Sequence, residues 1–133
     1  MVEHSTRSWT LKLAAGVAIV FGTLTILSGG QALFGSVAMR DAVGDAVPFV
    51  LWFNFLSGFF YILTGIGIAM GRRWAARMAV YIALAIAAVF ALFGLHILQG
   101  GAFEMRTVGA MTLRLIVWII VATVAVRNLP VVR

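Results

Sequence analysis

The chain has no cysteine, four acidic residues, two histidines and two prolines, and only 11% of its 133 residues are charged. Without thiols, disulfides, thiol redox chemistry and thiolate metal ligation are excluded. The two histidines, His4 and His96, fall at opposite ends of the apolar segments described below, so one copy cannot hold a haem between them. No Ser/His/Asp set, HExxH, Walker loop or dinucleotide fingerprint is present, and the glycines follow helix-packing spacing instead. No nucleophile, base pair or metal set can therefore be assigned that would make the chain an enzyme in its own right.

What is present is apolar. Hydrophobic residues make up 63% of the sequence and the mean hydropathy is +1.10, against roughly 45 to 50% apolar in soluble domains. Lipid is the expected solvent for most of the chain, and the length leaves no room for a soluble domain beside the spans. The net charge of +6 points first to nucleic acid. No basic run lies outside the apolar segments, so a membrane orientation signal explains the charge better and no nucleic-acid partner is expected.

The spacing predicts an all-α, integral membrane four-helix bundle with spans at about 11–32, 48–70, 74–98 and 107–126. The first segment also has features of a signal peptide, with a basic start and the small residues Gly30 and Ala32 near a cleavage position, but its apolar run is long enough to serve as a retained helix. Residues 33–47 interrupt the apolar pattern with Arg40, Asp41, Gly44 and Asp45 and fit a short interfacial helix. Pro48 suits the first turn of span two. Gly71-Arg72-Arg73 and Gln99-Gly100-Gly101 mark turns, and Arg127-Asn128-Leu129-Pro130 marks a stop.

Four spans put both termini on one side. That side and the second loop hold Arg7, Lys12, Arg72, Arg73, Arg77, Arg127 and Arg133 with one acid, Glu3. The other side holds Arg40, Arg106 and Arg114 with Asp41, Asp45 and Glu104. Because cytoplasmic loops carry the excess of Lys and Arg, both termini are expected in the cytoplasm.

Small residues recur at helical spacing. Ala75, Ala79, Ala83, Ala87 and Ala91 form a ridge on span three, with Gly67 and Gly71 on span two and Ala18 and Gly22 on span one. Such ridges let backbones approach, either within the bundle or between subunits of a homo-oligomer or larger membrane complex.

Arg114 is the residue that most needs an explanation, since a charge inside a span costs at least a few kcal/mol unless it is paired or snorkels. It lies at the same depth as Asn54, on the order of 10 Å below the outer ends of their helices at about 1.5 Å per residue. Gln31, His96, Gln99, Glu104 and Arg106 cluster near the same end. Asn54 shares a helical face with Ser57, Gly58, Tyr61 and Gly65, and Arg114 shares one with Thr107, Met111, Val117, Trp118 and Val121. An inward Arg114 would bond Asn54 and meet Glu104, Asp41 or Asp45 from above. The candidate ligand-binding residues are thus Arg114, Asn54, Tyr61, His96, Glu104 and Gln31, forming an outward pocket for an anionic or quinone-like headgroup. The alternative is a snorkelling arginine and an asparagine that merely ties two spans together.

The glycine-broken first span (GVAIVFGTLTILSGG) and the segment FLSGFFYILTGIGIAMGRRWAARMAVYIALAIA resemble the DoxX-like group of small four-span bacterial membrane proteins. The resemblance covers about half the chain. It implies a four-helix membrane fold and membership in a family that includes accessory subunits of membrane redox complexes. The leading expectation is a bacterial inner-membrane protein without catalysis of its own, an accessory or interaction subunit of a membrane redox or envelope system. Small multidrug exporters are expected to carry a glutamate in span one, and Val17 to Leu27 contains none. The second expectation, of another class, is a small transporter or ligand-binding protein built on Arg114 and Asn54.

Overall fold

A computed structural model describes residues 2–41, 44 and 47–129. Every element among them is helical: α1 (Val2–Phe34), α2 (Val37–Asp41), α3 (Pro48–Ala69), α4 (Arg73–Leu98) and α5 (Met105–Asn128). Among the described residues, four helices are long and apolar enough to cross a membrane, over Trp9–Phe34, Pro48–Ala69, Arg73–Leu98 and Met105–Asn128. They fit a multi-pass membrane protein, and α2 is the short helix between the first two spans.

The connections are set by local chemistry. Pro48 occupies the first turn of α3, where its missing N–H costs nothing. At the other end Gly71 adopts φ +70°, and the Arg72 and Gly71 amides donate back to the Gly67 and Ile68 carbonyls at 2.9 and 3.0 Å. This glycine stop turns the chain at once into α4. The same device ends α4: Gly100 has φ +84°, with the Gly101 and Gly100 amides bonded to the His96 and Ile97 carbonyls, each at 3.0 Å.

Short turns force antiparallel neighbours, and the helices close into a ring in which α1 touches α3 and α5, and α4 touches the same two. The α1–α3 contact is the most extensive. A Cβ added to Gly58 would stand 2.9 Å from the Gly22 carbonyl oxygen, and one on Gly65 would stand 3.0 Å from that of Ala15. Backbone therefore lies on backbone, which is how helices associate where lipid is as apolar as leucine. Gly67 likewise sits against Trp74 and Ala75 of α4.

The alanine ridge on α4 is divided. Ala75 and Ala79 are fully buried, Ala83 is half-buried, and Ala87 and Ala91 are exposed. Gly71, read as part of a packing pair, instead has open space around it and serves the turn. The core runs the length of the bundle, from Val50, Phe93 and Met111 through Ala18, Ile86 and Trp118 to Ile68, Ala75 and Ala125 at the end that carries the termini. The buried Thr25, Asn54 and Arg114 lie toward the opposite end, called the loop end below.

Candidate functional site

The polar site is assembled by three helices. On α3, burial of Asn54, Ser57, Gly58, Tyr61, Thr64 and Gly65 follows from their common stripe. On α5, Met111, Arg114, Trp118 and Val121 form the buried stripe. On α1, Thr25 is buried between the two. The expected inward faces of α3 and α5 are those the fold buries.

Arg114 is 8% exposed and Asn54 9%. The guanidinium does not reach out to the interface. Its Nη1 donates a 2.8 Å hydrogen bond to Thr25 Oγ1, and its Cζ lies over the Phe21 ring, 5.3 Å from the centroid. A cation over an aromatic face gains about 2 kcal/mol or more when desolvated. Arg114 Nε and Asn54 Oδ1 make no hydrogen bond within the protein. The Arg114–Asn54 bond expected from their common depth is thus replaced by a bond to Thr25. Leaving buried polar atoms without a partner costs about 1–3 kcal/mol each.

A cavity of about 310 Å³ opens beside these groups. Thr25, Ser28, Gly29 and Ala32 line it from α1, Val50, Leu51 and Asn54 from α3, and Thr107, Ala110 and Arg114 from α5, with Val47, Glu104 and Arg106 at the loop end. Glu104 and Arg106 approach to 3.8 Å, and a Cβ on Gly44 would meet the Glu104 carboxylate at 2.7 Å. The carboxylate is therefore held between the first loop and the start of α5.

Below the cavity, three rings cross the bundle. Phe21 and Tyr61 stack with centroids 6.0 Å apart, and Tyr61 and Trp118 lie 4.8 Å apart. The Tyr61 hydroxyl faces Arg114 and Ser57 without completing a well-formed hydrogen bond.

Of the six candidate residues, Arg114, Asn54 and Glu104 line one cavity, and Tyr61 lies under it. Gln31 is exposed on α1 and is not among the lining residues. His96 turns to the α4–α5 connection, where its Nε2 is 2.8 Å from the Ala102 carbonyl oxygen and its ring packs on Gly101. Asp41 is exposed, and Asp45 lies outside the described residues. Thr25, Ser28 and Phe21 were not legible as site residues. Their signal was the stripe Ala18, Gly22, Thr25, Gly29 on the first span, whose small residues mark the face that enters the bundle.

Chemically, the arrangement offers one buried cation, an amide, the hydroxyls of Thr25, Ser28 and Thr107, and an apolar wall. That combination can orient an anion or a polarised carbonyl. Among the described residues, no three His, Asp or Glu side chains gather to hold a metal ion. The chain matches no protein-family model, no curated protein and no solved structure.

Proposed function

We propose that this chain is a small membrane protein that binds an anionic or quinone-like headgroup in the cavity around Arg114 and Asn54, without catalysis of its own. The burial of the Arg114 guanidinium carries this reading. A snorkelling anchor extends its charge to the interface, whereas this one is turned onto Thr25 and Phe21 beside a cavity. Intramembrane cations of that kind mark ligand or ion sites by default. The test is binding of hexanoate and of a short-chain benzoquinone to the purified protein in nanodiscs. Saturable binding of either that disappears in Arg114→Leu, with helicity retained, is the expected result; equal binding by both proteins overturns the reading.

The same proposal sets the termini in the cytoplasm of a bacterial inner membrane and opens the cavity outward, on the strength of the basic excess at the terminus end. With no native cysteine, single thiols at Ser36→Cys and Arg73→Cys report sidedness cleanly. An impermeant maleimide added to intact cells should label the first and spare the second.

A second reading, an accessory subunit of a membrane redox or envelope system as in DoxX-like proteins, is favoured by α4. Along its length α4 turns Tyr81, Leu84, Ala87, Ala91 and Leu95 away from the bundle, a small-and-large pattern suited to another helix. Ala87→Cys should then crosslink to itself or to a partner subunit in native membranes, and its absence from any crosslinked species would remove this reading.

A further inference from the structure

Beside the cavity, between α1 and α5, lies a second feature that shares no lining residue with it. Toward the terminus end, α1 and α5 leave a groove of about 500 Å³, bounded by Lys12, Leu13, Gly16 and Leu24 of α1 and Leu113 and Val117 of α5 and apolar but for Lys12 at its end. Leu24 and Leu113 line the groove, while their chain neighbours Thr25 and Arg114 line the cavity. Phe21 joins the two, because it walls the groove and carries the guanidinium on its face. The buried cation and the groove thus share one wall, the Phe21 ring.

We propose that the molecule bound here is a long-chain amphiphile with a single anionic head, of the fatty-acid carboxylate type. Its head meets Arg114 and Asn54, and its chain lies in the α1–α5 groove. This rests on the ligand-binding reading above and adds the class of ligand and its route. Charge sets the head: Arg114 contributes the one buried positive charge, Lys12 at the far end of the groove is exposed, and Glu104 and Arg106 already face each other at the mouth. A monoanion balances the site, whereas a dianionic phosphate would leave an excess charge out of water. Geometry sets the chain: from Leu13 to Leu24 the groove runs roughly 16 Å at about 1.5 Å per residue. Lipid is as apolar as the groove, so the chain adds little affinity of its own. It supplies a path by which the head arrives sideways from the bilayer, already concentrated there.

The test uses the full chain in phosphatidylcholine nanodiscs and palmitate bearing a photoreactive diazirine at mid-chain, with adducts mapped by peptide mass spectrometry. Adducts should concentrate on residues 13–24 and 113–117. They should fall about tenfold in Arg114→Gln, which removes a charge-assisted hydrogen bond to the head. They should fall also in Gly16→Phe, which fills the groove at a position where an added Cβ meets nothing within 4 Å, so the fold has room for it. Adducts spread evenly over the lipid-facing helices, or unchanged in Arg114→Gln, overturn the proposal. Loss in Arg114→Gln with no change in Gly16→Phe puts the chain outside the groove and overturns it equally. If hexanoate still binds in an Arg114-dependent way, the amphiphile falls and the headgroup cavity stands; if hexanoate also fails, both fall.

Discussion

Helix α1 turns one face to α3 and another to α5. Against α3 it presents Ala15, Ala18 and Gly22, and the two backbones come within reach of each other's carbonyl oxygens. Against α5 it presents Phe21, Leu24 and Thr25, and the contact shrinks to a hydrogen bond, a ring under a guanidinium and two openings. From Ala15 to Gly22 the first seam has no volume to give away. Nearer the loop end α1 leaves α3 as well as α5, and the cavity opens among the three helices beside the unpartnered Arg114 Nε and Asn54 Oδ1, so the close packing lies in one stretch of the helix and the polar cavity in the other.

The largest break in that contrast should come from Gly58→Leu. Its side chain would overlap Ile26 and the Gly22 carbonyl, and overpacking costs typically about 1–3 kcal/mol; we expect a clear drop in melting temperature in detergent. Arg114→Gln on the other seam should act in the opposite sense. Stability should hold or rise, since a buried charge is removed, while headgroup affinity falls about tenfold by equilibrium binding. Thr25→Val deletes the acceptor of the Arg114 bond and leaves that buried guanidinium N–H without its partner, so it should destabilise by about 1–3 kcal/mol in denaturant titration. Gly16→Ala sharpens the comparison between glycines: with open space at its Cβ, it should stabilise by up to about 0.5–1 kcal/mol in the same titration. A reversal of the order between Gly58→Leu and Gly16→Ala would show that the seams do not differ as described.

Much of the architecture was legible because period and punctuation agree. Pro48, Gly71 and Gly100 stand where helices start or stop, and the apolar runs between them have span length. The meeting of Arg114 and Asn54 at one cavity was legible from equal depth on inward stripes. Their separate hydrogen-bonding fates were not. Which hydroxyl reaches Nη1 depends on the rotation of α1 about its axis, and that rotation is fixed by glycine contacts with α3, a non-local constraint. His96 shows the same limit: nearness to the loop end put it among the candidates, but the α4–α5 turn draws its ring to Ala102. The alanine ridge of α4 was continuous in sequence and interrupted in space, because α4 packs through Ala75 and Ala79 and turns Ala87 and Ala91 outward.

The row formed by Phe21, Tyr61 and Trp118 has an electrical consequence. A wet cavity sunk into a bilayer is a short conductor in an insulator, and it thins the barrier that protons and ions face. The three rings, with Ile68, Ala18 and Val121 beneath them, end the conductor and restore the dielectric. If the proposed cavity is filled with water in the bilayer, most of the transmembrane voltage would fall below Arg114. Carrying one charge through the whole field is worth about 2.3 kcal/mol per 100 mV, so an anion resting above the rings would feel only a small part of it. On the proposed reading, the rings would let the bundle take a charged guest without becoming a leak.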